Sequence, residues 1–266
     1  MTEPTTTPGA RAAAFFDLDR TLVAGSSGAA ILVEMRRAGI LSRRALLRES
    51  AIAVRFRLWG LDDAATDAVL TRIAGYIAGV SQEALHAVAV AALGRIEPQI
   101  FPAVVERVRR HQAAGDPVYL ITASSQEFAE LFAASLGFDG AVGTESEIVD
   151  GHYTGRAGGP FIYGEGKVDA LRRLAAIHQL DLPGSVAYSD SISDLPMLRA
   201  VGRAVAVNPD RQLRVIAERE RWEILAVDHL ARHLRTATTG GAVAVAALAA
   251  GWMALRTRDH RNAESW

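Results

Sequence analysis

Apolar and polar residues follow two patterns along this chain. One apolar run stands at 12–17, and from residue 98 onward short β-prone runs alternate with stretches of helical periodicity. This alternation predicts an α/β fold: a doubly wound parallel sheet with helices on both faces and functional groups at the carboxyl ends of its strands. The predicted strands are 12–17, 117–122, 140–144, 185–190, 203–208 and 222–227, with a hairpin at 147–155.

Residues 27–97 have a different pattern, with no strand signal and several helices rich in alanine and leucine. An insertion of this kind after the first strand predicts a helical cap domain over the active edge of the sheet. The expected domains are a disordered leader at 1–11, a core at 12–26 and 98–235, the cap at 27–97, a charge-free helical segment at 236–255 and a tail at 256–266.

Composition narrows the class of protein. Half of the 266 residues are hydrophobic and the formal net charge is −1, which fits a globular enzyme and argues against a nucleic-acid partner. The absence of cysteine excludes disulfides, thiolate metal sites and cysteine nucleophiles, and makes the cytoplasm the expected location. Lys167 is the only lysine. A bias towards arginine codons explains this, but so does a site that needs a compact ammonium instead of a planar guanidinium.

Polar residues stand where three of the predicted strands end. Asp17 and Asp19 follow the first strand, Thr122 ends the second, and Asp190 and Asp194 follow a third. Each has a structural explanation taken alone, since Asp and Thr are common in turns and helix caps. Together they predict one cluster, and clustered carboxylates repel each other unless a hard cation such as Mg²⁺ holds them. Acids, a hydroxyl and an ammonium around such a cation suit phosphoryl transfer.

These positions resemble the four motifs of haloacid dehalogenase superfamily phosphatases of subclass IB, the branch that includes the phosphoserine phosphatases. The first motif, D-x-D-x-T, is 17–21, and the second is the apolar strand that ends in Thr122. The third is Lys167 in "GEGKVDAL", and the fourth is the acid pair Asp190 and Asp194. The motifs occur in the family's order, so the resemblance implies the family's core with an inserted helical cap.

The resemblance also implies roles for these residues. Asp17 would attack phosphorus and form an aspartyl-phosphate, and Asp19 would act as general acid and then general base. Thr122 and Lys167 would hold the phosphoryl oxygens.

A metal site is implied as well. Mg²⁺ would be bound by the Asp17 carboxylate, the Asp19 main-chain carbonyl and Asp190. Asp194 would orient either the metal-bound waters or Lys167.

The chain departs from phosphoserine phosphatases at two places. Ser26 stands where those enzymes carry a glutamate for the substrate amine, and the fourth motif has Ser189, Ser191 and Ser193 around its acids. The expected function is therefore Mg²⁺-dependent hydrolysis of a small or lipid-borne phosphate monoester other than phosphoserine. Phosphotransfer to an acceptor other than water, or a membrane-tethered phosphate-binding scaffold without turnover, are the alternatives.

The predicted cap carries a basic stretch, which is either a solvated helical face or a lid for an anionic substrate or membrane surface. Only Glu49 opposes it between residues 36 and 57. Its members are Arg36, Arg37, Arg43, Arg44, Arg48, Arg55 and Arg57.

Residues 236–255 form a charge-free run flanked by arginines. Twenty helical residues span about 30 Å, the thickness of a bilayer's hydrocarbon core. The run is mostly alanine and glycine, so a helix packed on the core or on a partner is the alternative to membrane association. Membrane association would hold the catalytic domain on the cytoplasmic side.

If the run is an anchor, the full chain should sediment with membranes at low salt, and a chain that ends at Arg235 should stay in the soluble fraction. Cell fractionation followed by immunoblotting measures this. Recovery of both forms in the soluble fraction would show that the run is not an anchor.

Overall fold

The structure of the protein, a computed structural model, describes residues 10–49, 72 and 74–227. Six parallel strands form one sheet in the order β3-β2-β1-β6-β7-β8, and β4 and β5 form an antiparallel hairpin. The strands are β1 Ala14–Phe16, β2 Val118–Ser125, β3 Gly140–Thr144, β4 Ser146–Val149, β5 His152–Ala157, β6 Val186–Ser189, β7 Arg203–Val207 and β8 Glu223–Leu225.

Helices connect the strands, as the sequence periodicity predicts. Short 3-10 turns lie at Glu97–Gln99 and Ile192–Asp194, and residues 43–49 and 74–77 are also helical. The longer helices are α1 Ser27–Arg37, α2 Gln82–Ile96, α3 Pro102–Ala114, α4 Gln126–Ser135, α5 Glu165–His178, α6 Leu195–Arg199 and α7 Arg211–Glu220.

The sheet is buried on both faces, because successive strand residues point to opposite sides. Phe16 lies in the core on the side of α3 and α4, where its ring stacks on Tyr188 with 4.2 Å between centroids. Phe15 lies in the core on the side of α5, α6 and α7. Full burial of each aromatic side chain contributes about 1.5–3 kcal/mol of hydrophobic free energy. The doubly wound fold predicted from the sequence is confirmed.

Strand order reverses beside β1, which has β2 on one side and β6 on the other. The chain leaves β1 in register with β6, since the Asp17 backbone N–H donates to the Tyr188 carbonyl at 3.0 Å. Crevices at such a reversal are where open α/β sheets bind their ligands. The residues after β1 and after β6 therefore meet at one point of the sheet edge.

Two boundaries differ from the sequence prediction. Strand β2 continues past Thr122 to Ser125, because a bulge allows Ser125 to pair with Thr144 of β3. Arg11, which the sequence pattern assigns to the leader, belongs to the folded core. Its backbone bonds to Gln179 and Asp181 at 3.3 and 2.9 Å.

The described part of residues 27–97 is helical, and its one β-type contact is a bridge between Ser81 and His152 of the hairpin. A separate apolar cluster holds this region together and includes Tyr153 from β5. Its other buried members are Met35, Leu41, Ile77, Leu85 and Val88.

Two buried glutamates pair with arginines of the basic stretch. Glu34 contacts Arg37 at 3.0 Å, and Glu49 contacts Arg48 at 3.3 Å. Arg55 and Arg57 lie outside the described residues. The basic stretch is thus opposed by Glu34 of α1 as well as by Glu49, although Glu34 lies just before the stretch in sequence.

No helix within residues 10–49 and 74–227 is long and apolar enough to cross a bilayer. Residues 236–255 lie outside the described residues, so the prediction for that run rests on the sequence alone.

Candidate active site

A buried lysine joins two of the predicted acids. Lys167 Nζ donates to Asp17 Oδ1 at 2.6 Å and to Asp194 Oδ2 at 2.7 Å. The three side chains come from the end of β1, the start of α5 and the turn after β6, and all are less than a tenth exposed. Buried charges persist only when they are paired and hydrogen-bonded. The contact therefore holds these three elements in a fixed relation.

Two glycines allow the lysine to reach this position. Gly164, which precedes α5, has φ +53°, a left-handed conformation that glycine adopts at low cost. A Cβ on Gly166 would stand 1.9 Å from the Phe161 carbonyl oxygen, so only glycine fits there. The two glycines of "GEGK" thus shape the turn that places Lys167.

The turn after β6 is organised around Asp194. Ser189 is fully buried and its hydroxyl donates to Asp194 Oδ2 at 2.7 Å. Asp194 Oδ1 is buried and has no hydrogen-bond partner among the described residues. Asp210 supports the turn from outside, since its carboxylate accepts from the Ile192 and Leu213 backbone N–H groups at 2.8 Å each.

Asp190 is paired with the arginine at the second variable position of the D-x-D-x-T motif. Arg20 Nε lies 3.0 Å from Asp190 Oδ2. Arg20 has φ +62°, which costs an L-residue about 1–2 kcal/mol relative to a right-handed backbone. Sequence alone could not show this pair, because neither a left-handed backbone nor the direction of the side chain is visible in the motif.

The Asp19 carboxylate points to the amino end of α1. Its Oδ1 accepts from the Ser27 backbone N–H at 2.7 Å, and its Oδ2 accepts from the Ser26 hydroxyl at 3.4 Å. Ser26 is also the N-cap of α1, where its hydroxyl accepts from the Ala29 N–H. The start of the helical region is therefore fixed directly to the D-x-D-x-T turn.

Thr122 is buried within β2, and its hydroxyl accepts from the Ser124 backbone N–H at 3.2 Å. It makes no hydrogen bond to the acids in the described part of the chain. Ser125, and neither Thr122 nor Ser124, caps α4 by accepting from the Phe128 N–H at 3.4 Å. Of the predicted site residues, Thr122 is thus the one that stands apart from the charged cluster.

Burial and mutual repulsion change the proton affinities of the acids. Burial raises the pKa of Asp17 to about 6, although Lys167 opposes the shift. Burial and the nearby Asp17 charge raise the pKa of Asp190 to about 8, although Arg20 opposes that shift. Burial raises the pKa of Asp19 against the hydrogen bond from Ser27. Burial alone would lower the pKa of Lys167, but Asp17 and Asp194 outweigh it and raise that pKa.

Comparison with known proteins shows which family this chain resembles. The sequence profile described as haloacid dehalogenase-like hydrolase matches residues 14–199. A probable phosphatase of Mycobacterium tuberculosis is 38% identical over 262 residues, covering 92% of this chain and 88% of that protein. A phosphoserine phosphatase of the same organism is 40% identical over 215 residues, covering 80% and 70%. A solved structure from Bordetella pertussis, of unknown function, has a TM-score of 0.73 at 31% identity, covering 82% and 99%.

The chain belongs to the haloacid dehalogenase-like hydrolases. The resemblance read from the four motifs is confirmed at the level of the family. Because its relatives include proteins named phosphatase, this chain is an enzyme of the family's phosphatase type.

The charges of this hydrolase fit a divalent cation. Four carboxylates (Asp17, Asp19, Asp190 and Asp194) face two cations, Lys167 and Arg20, which leaves two negative charges in excess when all are ionised. Burial is the main cause of the raised pKa values of Asp17 and Asp190, and the charges of neighbouring carboxylates add to it. The unpartnered Asp194 Oδ1 is a further acceptor for a water of a metal's shell.

The donor set also fits, although no three histidine or acidic side chains converge as a metal cluster in the described part of the chain. Two carboxylates, Asp17 and Asp190, together with the Asp19 main-chain carbonyl, are oxygen ligands of the kind that Mg²⁺ prefers, and Mg²⁺ keeps several waters.

The contacts of Lys167 predict that Lys167→Arg damages this hydrolase although the charge is kept. A guanidinium is larger and planar, and it does not fit as a point charge 2.6 and 2.7 Å from two buried carboxylates. We expect kcat/KM to fall at least about a hundredfold, the loss typical of one misplaced charge-stabilising donor. Steady-state kinetics on p-nitrophenyl phosphate with Mg²⁺ measures it.

Arg172→Lys is the matched control, because it exchanges the same two side-chain types on the exposed part of α5. It should leave the kinetics unchanged. Near-normal turnover by Lys167→Arg would show that the single lysine is incidental to the chemistry.

Proposed function

We propose that this hydrolase is a Mg²⁺-dependent phosphomonoesterase that acts through an aspartyl-phosphate on Asp17. The observation that carries the proposal is the buried contact of Lys167 with Asp17 and Asp194 at the reversal of strand order. A fixed ammonium beside a carboxylate is an arrangement that binds and attacks a phosphoryl group.

In the first step the two oxygens of Asp17 have different tasks. Oδ1 accepts from Lys167 at 2.6 Å, which leaves Oδ2 to attack phosphorus. As the new bond forms, the ester oxygen leaves with its electron pair and takes a proton from Asp19. The raised pKa of Asp19 favours the protonated form that this donation requires.

In the second step a water attacks the phosphorus of the aspartyl-phosphate. Asp19, now ionised, accepts the proton of that water, and the bond between phosphorus and Asp17 breaks to release inorganic phosphate. Lys167, and Thr122 within the neighbouring strand β2, hold the phosphoryl oxygens through both steps.

Asp17, the Asp19 main-chain carbonyl and Asp190 would hold the metal. When bound, Mg²⁺ supplies positive charge against the phosphoryl oxygens. The short contacts of Lys167 go to Asp17 and Asp194 and not to Asp190.

We propose that residues 27–97 form the cap that selects the substrate. The cap starts at the site itself, since Ser26 and Ser27 both bond to Asp19. A substrate group that extends from the phosphate towards α1 therefore meets a serine hydroxyl. The first turn of α1 contains no acidic residue. This surrounding suits a small or lipid-borne phosphate ester without an ammonium group.

Asp17→Asn should abolish turnover and leave the fold intact, because the amide keeps the shape of the side chain but removes the nucleophile. We expect a loss of at least about a thousandfold in kcat, which corresponds to roughly 4 kcal/mol of barrier. Asp169→Asn, the same change at an exposed aspartate of α5, is the control and should keep full activity. Circular dichroism checks the fold. Activity of Asp17→Asn within tenfold of the parent would contradict the assignment of the nucleophile.

Phosphoserine should be a worse substrate than its deaminated analogue, 3-phosphooxypropanoate, because Ser26 offers the ammonium no negative partner. Ser26→Glu should raise kcat/KM for phosphoserine relative to the analogue by about tenfold, the value of one charge pair of roughly 1.4 kcal/mol. Ser26→Gln loses the same helix cap without adding charge, and should leave the ratio unchanged. If the parent enzyme prefers phosphoserine, this substrate proposal is wrong. The comparison is informative because one relative is named a phosphoserine phosphatase.

A further inference from the structure

Arg20 is the second cation of the site, and the proposed chemistry gives it no task. It stands between Asp19 and Thr21, and its Nε lies 3.0 Å from Asp190 Oδ2. The carboxylate is buried, with 5% of its side chain exposed, whereas 41% of the arginine side chain is exposed. The buried Asp190 carboxylate thus contacts an arginine whose side chain is partly exposed to solvent.

The backbone conformation of Arg20 is one that a residue with a side chain rarely adopts. A φ of +62° is the region where glycine is relaxed and an arginine is strained. Strained backbone persists where the surrounding structure or the function requires the side chain. In the described structure, the ion pair that the Arg20 side chain forms is the one with Asp190.

Within the described residues, Arg20 is the cation that forms an ion pair with Asp190. Lys167 lies between Asp17 and Asp194, and both of its short contacts go to those acids. Without Arg20, the metal-free site would hold a buried carboxylate with no ion-pair partner.

We propose that Arg20 is a built-in counter-ion that competes with the metal for Asp190, and so sets the metal concentration at which the site fills. This inference rests on the proposed function, which makes Asp190 a metal ligand. Arg20 is a positioning residue: it holds Asp190 in place while no metal is bound, and its half-exposed chain is free to move into solvent when the metal arrives. Removing its charge should therefore tighten metal binding.

Calorimetric titration of MgCl₂ into the metal-free full chain, without substrate, tests the proposal. Arg20→Gln and Arg20→Gly should each lower the Kd for Mg²⁺ about three- to tenfold, which is the range expected for a partly exposed ion pair. Arg20→Lys keeps the charge and should stay within about twofold of the parent. Arg37→Gln is the matched control, because it removes an exposed arginine from the buried Glu34 in the helical region. Its Kd should not change.

Thermal unfolding provides a second measurement. In EDTA, Arg20→Gln should unfold at a lower temperature than the parent, because Asp190 loses its counter-ion. In saturating Mg²⁺ the difference should disappear, because the metal then occupies the carboxylate in both proteins. An arginine with a merely structural role would lower the unfolding temperature equally in both conditions.

The outcomes separate this inference from the proposed function. A parent that binds Mg²⁺ and hydrolyses p-nitrophenyl phosphate, with unchanged or weaker Mg²⁺ binding in Arg20→Gln and Arg20→Gly, would overturn the role of Arg20 alone. A parent that neither binds Mg²⁺ nor releases phosphate would overturn the proposed function, and the role of Arg20 with it. If Arg20→Gln does not fold, Arg20→Gly and Arg20→Lys still decide the question.

Discussion

The ammonium of Lys167, buried between Asp17 and Asp194, is the contact that the rest of the site depends on. A charge removed from water is tolerated only if its partners are fixed, so all three side chains need rigid supports. Each has one. Asp17 leaves β1 in register with β6, two glycines shape the turn that places Lys167, and Ser189 and Asp210 hold the turn of Asp194. The parallel sheet thus serves to bring three distant parts of the sequence within hydrogen-bond distance.

The single positive charge of Lys167 does not balance four carboxylates. The other contacts of these acids follow from this difference in charge. The charge of Lys167 is divided between two carboxylates, and Asp19 turns to the backbone N–H of Ser27. Asp190 is left to Arg20. Burial, together with repulsion between the carboxylates, raises the pKa values of Asp17 and Asp190 although Lys167 and Arg20 oppose the shifts. A site built this way gains from a divalent cation, and its affinity for that cation depends on what else is paired with Asp190.

The sequence predicted the fold well because the relevant signals are local. Alternating apolar runs and helical periodicity are visible within ten residues, and parallel strands bring their polar ends to the same edge. What escaped prediction depends on distant partners. The extension of β2 requires Thr144 of another strand, and the support of the fourth motif requires Asp210, which lies 18 residues after its hydrogen-bond partner Ile192. Arg20 occupies a position that the motif leaves open, and its left-handed backbone has no sequence signature.

The residues proposed to act on phosphorus and the residues proposed to select the substrate lie in different parts of the chain. The groups that act on phosphorus stand at strand ends, where the sheet fixes them, whereas the first contact outside this set is the hydroxyl of Ser26 at the start of α1. Ser26 caps the helix and also touches Asp19, so a change there acts on the entry of the substrate and on the proposed proton donor together. Substrate preference in this hydrolase can therefore shift through a residue that leaves the nucleophile, the lysine and the proposed metal ligands in place.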